Sequence, residues 1–457
     1  MPIHKKQIRP LARLHGYWIY QRFLRQAATW PVERRRAYVF EKLKQTLVRA
    51  YEGVPFYRER FQKAGFDPAR DFQSTEDLAR APILTKADVR GHHHEMIDRR
   101  YLLGSVMAHT SGTTGQPMEM RLSEYYVALD YACMFRHWAR AGYAFRAPFA
   151  AIRSYVPASP DDPLWRYSFW QKTLYMSAYH LKPSNSEAYI WELLRFRPPY
   201  IRGYVSSISV LAEYAYPFRE QFEFVRGIFT ASETLLPSER ATIERTFGRK
   251  LYDWYGMTEP AVVITERADH DGMEVNWEYG YPELLEADGL QPNERKLIAT
   301  SLHNPVMPFI RYQTDDNVCL AEAPRADELY PRIRSISGRK DEFFLTVDGR
   351  KLPSLNFYSL LQTYREILRF QFIQKSLTEV VLRISLRPAS GSPAAVLGRI
   401  RGEVMQRLAP DMSLEVEVTE DFLRSPDGKT PTFKRTFALS PSSPAFEGSA
   451  GAGAGTE

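Results

Sequence analysis

Apolar residues recur at helical spacing through the first third of the chain. Leu43 and Leu47 belong to such a pattern within residues 15–64, which predicts helices there, and residues 123–145 show a second amphipathic helical pattern. Between these regions, a loop leads into a helix for which Thr85 is the predicted N-cap. The first part of the chain is therefore expected to be mainly helical.

From residue 200 onward, strands and helices alternate. The predicted elements are a strand at 200–203, a helix at 206–220, a strand at 225–230, a helix at 237–247 and a strand at 251–255. This order predicts a layered α/β domain with a largely parallel sheet. Ligands of such sheets bind beyond the carboxyl ends of the strands, which here lead into residues 231–233 and 256–259.

The last third of the chain predicts a second, smaller unit. Its expected strands lie at 343–347, 369–374, 379–386 and 413–418, and its expected helices at 354–365 and 393–408. The predicted fold class is α/β, with a large multi-layer N-terminal domain at 1–340, including a basic helical lead-in at 1–50. A small α+β C-terminal domain is expected at 341–439. The Ser-, Pro-, Gly- and Ala-rich tail at 440–457 is predicted to be disordered.

The composition is that of a globular protein. A chain of 457 residues is long enough for two or more domains with sizeable cores. No stretch approaches the ~18 apolar residues of a transmembrane helix, and the N-terminus lacks the apolar region of a secretory signal. With Cys133 and Cys319 as its two cysteines, the chain is not expected to form a disulfide scaffold, and a cytoplasmic location is the default prediction.

The net charge of +7 is concentrated at the N-terminus. Residues 1–50 hold twelve Lys and Arg against two acidic residues. Because the remainder is slightly acidic, no nucleic-acid partner is expected for the protein as a whole. The pattern favours a solvated helical lead-in, while contact with an acidic partner, a membrane surface or RNA stays open.

The loop at residues 109–117 is the first candidate binding element. Three hydroxyls and two glycines follow one another at Ser111, Gly112, Thr113, Thr114 and Gly115. Glycines allow a tight turn whose backbone N–H groups point inward, and the hydroxyls add neutral donors, which suits a polyphosphate. A polar surface turn has the same composition, so the loop alone does not decide between the two interpretations.

Two other motifs are weaker. The tract His92–His94 has no Cys or His partner at ligand spacing, so a surface tract is expected rather than a metal site. Gly428, Lys429 and Thr430 form half of a P-loop motif, but Leu423 stands where that motif requires glycine. The chain is therefore not expected to be a P-loop NTPase.

Four further stretches follow the loop in a set order: Tyr255–Glu259, Arg311–Asp316, Gly338–Asp341 and Gly428–Lys429. With them, the chain resembles the adenylate-forming superfamily of acyl-CoA synthetases, luciferases and peptide-synthetase adenylation domains. The stretches Val54–Tyr57, Pro82–Lys86 and Arg311–Thr314 are similar in particular to the phenylacetate-CoA ligase branch and its capsule-biosynthesis (CapK) and coenzyme F390 synthetase relatives. The resemblance covers roughly residues 30–437.

The resemblance implies a two-step ligase reaction with ATP, Mg²⁺ and coenzyme A. A carboxylate attacks the α-phosphate of ATP and gives an acyl adenylate and pyrophosphate. The small C-terminal domain then rotates about a hinge at Asp341, and the thiol of coenzyme A displaces AMP. Because a carboxylate and a triphosphate repel each other, the site must screen charge and orient both groups.

At the phosphate end, the resemblance assigns the loop at 111–115 to the β- and γ-phosphates. Thr258 would contact the α-phosphate, and Glu259 would help bind Mg²⁺, a hard cation that prefers oxygen ligands. Lys429 would bring a positive charge to the adenylation step. The catalytic set is thus Lys429, Thr258 and Glu259.

At the nucleoside end, the resemblance places Tyr255 and Gly256 against the adenine. Asp316 would accept hydrogen bonds from the ribose hydroxyls, and Arg339 would lie near ribose and phosphate. The adenine edge would lie along Ala231, Ser232 and Glu233.

The chain departs from the family pattern at three places. Gln116 stands where many members have Lys or Arg, and Asp315 replaces the usual glycine before Asp316. Thr430–Thr432 separates Lys429 from the aromatic and basic residues that usually follow, so Lys434 is a rival for the catalytic lysine.

Several alternatives stay open at this stage. The aromatic-rich stretch 125–180 favours an apolar or aromatic acid but does not name it. The adenylate could pass to coenzyme A, to an amine or to a carrier-protein thiol, or AMP itself could pass to an acceptor. The oligomeric state is not determined, with a homodimer among the alternatives.

Overall fold

The computed structural model describes most of the chain. The described residues are 10–109, 118–153, 155, 157, 162–178, 181, 185–288, 290–321, 325, 327–337, 343–347, 351–353, 357, 360–361, 364, 366–387, 393–409, 411–424 and 430–437. The phosphate loop at 111–115 and the residues Arg339, Asp341 and Lys429 lie outside them.

Helices dominate the N-terminal part, and strands the middle and C-terminal parts. The α-helices are α1 (Pro10–Ala27), α2 (Val32–Gly53), α3 (Pro55–Lys63), α4 (Pro68–Asp71), α5 (Lys86–His92), α6 (Glu124–Ala139), α7 (Ser186–Phe196), α8 (Val205–Ala215), α9 (Pro237–Phe247) and α10 (Pro393–Met405). Three 3₁₀ helices lie at Thr75–Arg80, Arg99–Tyr101 and Tyr216–Phe222. The strands are β1 (Ser105–His109), β2 (Glu119–Ser123), β3 (Phe149–Arg153), β4 (Trp165–Ser168), β5 (Thr173–Ser177), β6 (Tyr200–Gly203), β7 (Gly227–Ala231), β8 (Leu251–Gly256), β9 (Val263–Glu266), β10 (Met273–Val275), β11 (Gly280–Leu285), β12 (Glu294–Ser301), β13 (Tyr312–Leu320), β14 (Ile333–Ser337), β15 (Phe343–Leu345), β16 (Lys351–Pro353), β17 (Ile367–Gln374), β18 (Glu379–Leu386), β19 (Ser413–Val418) and β20 (Phe433–Arg435).

Twelve strands form one large sheet in the order β11-β12-β13-β14-β10-β9-β8-β7-β6-β3-β5-β4. The strands from β5 through β3, β6 and β7 to β8 run parallel, as the strand and helix alternation predicts. From β8 to β11 every pairing is antiparallel, so the prediction of a largely parallel sheet is wrong for this half. The links β8–β9, β9–β10, β11–β12 and β12–β13, of at most ten residues each, are too short for the crossover that a parallel pair needs.

Helices cover both faces of the parallel half. Successive residues of a strand point to opposite faces of the sheet. On one face, Ile201 and Ile228 pack in a core with α7, α8 and α9. On the other face, Tyr200 and Phe229 pack against Trp138 of α6. This arrangement gives the layered α/β architecture that the sequence predicts.

From Pro10 onward, the basic lead-in is helical and packs on the domain. Leu24 of α1 and Leu43 and Leu47 of α2 are buried in the main N-terminal core. The Gln21 amide of α1 donates a hydrogen bond of 3.1 Å to the carbonyl of Ala132 in α6. The lead-in is therefore part of the domain, although its charged face is solvated. None of the helices in the described ranges is both long and apolar enough to cross a bilayer.

A two-stranded ladder flanks the predicted phosphate loop, ending at His109 before it and beginning at Glu119 after it. Strands β1 and β2 pair antiparallel from Ser105 opposite Ser123 to His109 opposite Glu119. The sequence pattern indicates the apolar run before the loop but not the strand after it. Ser123 then caps α6 by accepting a hydrogen bond of 3.1 Å from the Tyr126 backbone N–H.

The C-terminal residues form their own sheet and core. The sheet order is β19-β18-β17-β20, with α10 packed against it. The sequence pattern predicts β17, β18, β19 and α10 but misses β20, which is three residues long and pairs parallel with β17. We propose that this unit is the predicted second domain; its boundary at 340/341 falls outside the described residues.

Arg311 anchors the antiparallel half of the sheet to the helical region. Its guanidinium donates hydrogen bonds of 2.8–3.1 Å to the Glu283 carboxylate on β11 and of 2.8 Å each to the carbonyls of Ala79 and Ala81. Both side chains of the ion pair are about nine-tenths buried. The Arg311 side chain therefore connects β11 with the 3₁₀ helix Thr75–Arg80 and the loop that follows this helix. Arg311 itself lies directly before β13.

Arg311→Gln is expected to lower the free energy of unfolding by about 3–5 kcal/mol, because it leaves the Glu283 carboxylate buried without a cation. Urea denaturation followed by circular dichroism measures this loss. Arg295→Gln is the matched control: its partner Glu286 is 84% exposed, so a loss below about 1 kcal/mol is expected. Equal losses in the two variants would contradict the anchoring role of Arg311.

Candidate functional site

The candidate site lies where β7 and β8 end. These strands are parallel neighbours, with Ala231 opposite Trp254, so the segments 231–233 and 256–259 leave the sheet side by side. Gly256 fits closely here, because an added Cβ would lie 2.5 Å from the Trp254 indole nitrogen. The predicted contact between the two strand ends is thus present.

Glu259 is a buried carboxylate held by one hydroxyl. Its Oε1 accepts a hydrogen bond of 2.8 Å from the Tyr312 hydroxyl, at the start of β13. Burial and the neighbouring Glu259 raise the pKa of Tyr312 well above its usual range, so the tyrosine stays a neutral donor. The Tyr312 hydroxyl therefore orients the Glu259 carboxylate without supplying a countercharge.

That geometry suits an oxygen ligand of Mg²⁺. Mg²⁺ in nucleotide sites is usually held by one or two carboxylates together with substrate phosphates. Within the described ranges, no group of three or more His, Cys, Asp and Glu side chains could hold a metal ion by itself. Glu259 fits a metal that the nucleotide helps to bind, rather than a preformed metal cage.

Tyr255 and Asp316 form the second pair of the site. The Tyr255 hydroxyl donates a hydrogen bond of 2.6 Å to Asp316 Oδ2. Burial and Asp316 raise the pKa of Tyr255 well above its usual range. A carboxylate has two oxygens with several lone pairs, so this bond leaves acceptor capacity on Asp316.

The neighbouring Asp315 has a different environment. Lys86 lies 2.8 Å from Asp315 Oδ2, and Gln313 donates to Oδ1. Burial acts to raise the pKa of Asp315, but Lys86, Gln313 and Lys296 together outweigh it and the net shift is downward. The resemblance assigns the ribose contact to Asp316, although the adjacent Asp315 could be confused with it; the structure pairs Asp315 with Lys86 and Asp316 with Tyr255.

The backbone at Asp315 is one that glycine also suits. Asp315 has a φ of 64°, in the left-handed region that glycine adopts most readily. Asp and Asn tolerate that region better than most other residues. The aspartate at this position is therefore compatible with the local turn.

The segment Ala231–Glu233 has cations on two sides, one from the large domain and one from the C-terminal unit. Ser232 accepts a hydrogen bond of 3.3 Å from Arg153 at the end of β3. Arg369 on β17 lies within the electrostatic influence of Glu233 and Glu239, and burial lowers its pKa to about 10 against their opposing effect. Burial also raises the pKa of Glu239 to about 8. The small unit thus brings a cation to the edge of the site.

Lys434 lies in β20, next to Ile373 of β17. Ile373 is four residues beyond Arg369, or about 13 Å along the strand at 3.3 Å per residue.

Thr258 follows β8 and is partly exposed. The assignments of Lys429, Arg339, Asp341 and the loop at 111–115 remain predictions, because these residues lie outside the described ranges.

Sequence reasoning missed four residues of this site: Tyr312, Lys86, Arg153 and Arg369. Tyr312 and Lys86 belong to stretches that carry the family resemblance, so a motif signal was available for them. Arg153 and Arg369 have no local signal, because only the packing of distant strands brings them to residues 232 and 233.

Known proteins resemble this chain in sequence and in fold. No family model matches it. Protein CapK of Staphylococcus aureus is 23% identical over 381 residues, covering 82% of this chain and 83% of its own length. A phenylacetate-coenzyme A ligase of Thermus thermophilus is 27% identical over 377 residues, covering 78% of this chain and 83% of its own length.

The fold matches that of a solved ligase. A crystal structure of 2-hydroxyisobutyryl-CoA ligase in the postadenylation state, in complex with 2-HIB-AMP, aligns with a TM-score of 0.67 at 20% identity, covering 89% of this chain and 90% of that one. The predicted fold class is confirmed. The sequence relatives likewise confirm the predicted resemblance to the CapK and phenylacetate-CoA ligase branch of the adenylate-forming superfamily.

Proposed function

We propose that this protein activates a carboxylic acid with ATP, releases pyrophosphate and then transfers the acyl group from the acyl adenylate to coenzyme A. The observation that carries the proposal is the pair of carboxylates at the end of β8, each oriented by a tyrosine hydroxyl: Glu259 by Tyr312 and Asp316 by Tyr255. Similarity to phenylacetate-CoA ligases over about four fifths of the chain supports the same reaction.

The two carboxylates have different tasks in this proposal. Asp316 accepts hydrogen bonds from the ribose, and Tyr255 fixes the carboxylate orientation and lies against the adenine. Glu259 holds Mg²⁺ together with the nucleotide phosphates, and the cation supplies charge compensation for the triphosphate when bound. Preorganised charges of this kind need no rearrangement when the α-phosphate reacts.

Charge compensation from the protein comes from a lysine of the small unit. We assign this role to Lys429, because it belongs to the motif that carries the resemblance. The phosphate loop at 111–115 contributes neutral donors, and Gln116 adds no positive charge. The loop therefore positions the β- and γ-phosphates, while the cations stabilise the charge that develops in the adenylation step.

An apolar or aromatic acid is the proposed substrate class. The face of the sheet under α6 carries a cluster of aromatic side chains that includes Trp138, Phe149 and Phe229. Phe229 is two residues before Ala231, at the strand end that reaches the site. An acid that binds beside this buried apolar cluster would be expected to carry little additional charge.

The experiment that tests the function is ATP–pyrophosphate exchange over a panel of aryl, arylacetic and fatty acids. Exchange that depends on at least one of these acids is expected, followed by formation of its thioester when coenzyme A is added. The absence of exchange with every acid would contradict the proposal. Exchange that leads to an amide, a carrier-protein thioester or an AMP-modified acceptor, without a CoA thioester, would retain adenylation and replace the acceptor.

Glu259→Gln is expected to slow ATP–pyrophosphate exchange by about 10²–10³-fold, the range found when one preorganised electrostatic partner is removed. The amide keeps the shape and the hydrogen bond to Tyr312 but loses the charge that binds Mg²⁺. The Mg²⁺ concentration for half-maximal exchange should rise in parallel.

Tyr312→Phe is the control for this variant, because it keeps the carboxylate and removes only the orienting hydroxyl. A smaller loss and an unchanged Mg²⁺ requirement are expected. A Glu259→Gln enzyme with the Mg²⁺ dependence of the wild type would rule out the metal assignment.

Asp316→Ala is expected to raise the KM for ATP about 10- to 100-fold, which corresponds to the loss of charge-assisted hydrogen bonds to the ribose. The variant should also lose the preference for ATP over 2′,3′-dideoxy-ATP, which lacks both hydroxyls. Steady-state kinetics with the two nucleotides measure both effects.

Asp315→Gly is the matched variant at the neighbouring position. Glycine accepts the φ of 64° without strain, so the ATP dependence should stay close to that of the wild type. If Asp315→Gly abolished the discrimination between the nucleotides and Asp316→Ala preserved it, the two assignments would have to be exchanged.

A further inference from the structure

Large aromatic side chains are exposed where α1, the loop between α6 and β3, and the turn between β4 and β5 come together. They are Trp18 of α1, Phe145 of the loop, and Phe169 and Trp170 of the turn, with exposed fractions of 60%, 69%, 76% and 83%. The proposed reaction gives none of them a task. These four residues are called the aromatic surface below.

Contacts join the three segments into one surface. The partly buried ring of Tyr17 packs against both Trp18 and Phe145, with ring centroids 6.0 and 6.5 Å apart. The Arg146 guanidinium donates a hydrogen bond of 3.3 Å to the carbonyl of Trp170 and so joins the loop to the turn. Single exposed apolar residues are common on proteins, whereas a contiguous group of them is typical of a contact site.

The same three segments are basic. None of the residues at 10–27, 140–148 and 165–172 is acidic. The exposed cations of these segments are Arg22, Arg25, Arg146, Arg166 and Lys172. Within the described ranges, none of these five forms an ion pair with a carboxylate. Their positive charge is therefore available to an external anionic partner.

On α1 the aromatic and basic groups share one face of the helix. Arg22 and Arg25 follow Trp18 by four and seven residues, which is the spacing of neighbours along a helical face. The partner of this surface must therefore accept apolar side chains and positive charges side by side.

We propose that the aromatic surface docks the protein on a bilayer that contains anionic phospholipids. Aromatic side chains, Trp above all, are favoured at the boundary between head groups and acyl chains. Lys and Arg beside them are attracted to the negative surface potential of acidic lipids. The exposed rings enter this boundary, while the five cations stay at the level of the lipid phosphates.

A second copy of the chain fits this surface less well. In a two-fold dimer the surface would face itself, because such an interface uses the same patch of both subunits. The five cations would then lie opposite the same five cations, and the like charges would repel each other.

A single-stranded nucleic acid also fits less well. Proteins bind unpaired bases by stacking them on the flat faces of aromatic side chains. The rings of Phe169 and Trp170 stand at 80° to each other, so they do not form parallel platforms for successive bases. Ile19, which is exposed next to Trp18, has no ring at all. An apolar boundary accepts rings and aliphatic groups in any orientation.

Flotation of the full chain with lipid vesicles tests the proposal. One set of vesicles is phosphatidylcholine alone, and the other contains about 30% phosphatidylglycerol, in about 0.1 M NaCl. The chain is expected to bind the anionic vesicles about tenfold or more tightly than the neutral ones, and more weakly as salt screens the charges. The measurement needs no substrate, so its outcome is independent of the proposed ligase reaction.

Two double variants locate the binding. Phe169→Ser with Trp170→Ser removes the exposed rings of the turn, and Arg22→Glu with Arg25→Glu reverses two charges on α1. Each pair is expected to weaken binding to anionic vesicles about tenfold or more, because both the apolar and the electrostatic attraction contribute. The midpoint of thermal unfolding should stay unchanged, since all four side chains are exposed.

Matched controls lie elsewhere on the molecule. Trp191→Ser removes an aromatic side chain that is 52% exposed on α7, and Arg401→Glu with Arg407→Glu repeats the charge change on exposed residues of the C-terminal unit. Both controls should bind vesicles like the wild type.

Three results would overturn the proposal. The first is no binding to either set of vesicles, or equal binding to both. The second is wild-type binding by both surface variants. The third is a chain that binds no vesicles but forms a dimer, or binds single-stranded RNA, in a way that the surface variants abolish.

Discussion

The register of β13 is the constraint on which the site depends. This strand presents Tyr312, Asp315 and Asp316 to Glu259, Lys86 and Tyr255, which come from two different parts of the chain. A shift of one residue would turn each side chain to the other face of the sheet. The buried Arg311–Glu283 pair, directly before the strand, fixes its start relative to β11 and to the helical region.

Two adjacent aspartates acquire different properties from their partners. Lys86 compensates the charge of Asp315, whereas a neutral hydroxyl orients Asp316. The hydroxyl of Tyr312 orients Glu259 in the same way. A hydroxyl fixes a carboxylate in place without supplying a countercharge, which suits groups that must still bind a metal or a ribose. This difference separates the structural carboxylate from the two proposed binding carboxylates.

Polar contacts join the small C-terminal unit to the large one. Arg387 pairs with Glu213, Arg424 donates to the carbonyl of Ala178, and Arg369 lies near Glu233. The apolar cores of the two units are separate. Polar contacts of this kind can be broken and replaced at a modest cost in free energy, so a polar interface between domains permits relative motion. The arrangement is compatible with the rotation that the proposed two-step reaction requires.

Local sequence determined the elements whose signal is local. Helical spacing predicted α2 and α6, the strand and helix alternation predicted β6, β7 and β8, and the ordered motifs named the candidate site residues, whose roles stay predictions. The antiparallel pairing in the other half of the sheet and the strand β20 were not predicted, because pairing between strands depends on link length and distant partners rather than on periodicity. Only the tertiary structure gave Asp315 and Asp316 different partners and brought Tyr312, Arg153 and Arg369 to the strand ends. A buried group finds its partner through packing that no local pattern records.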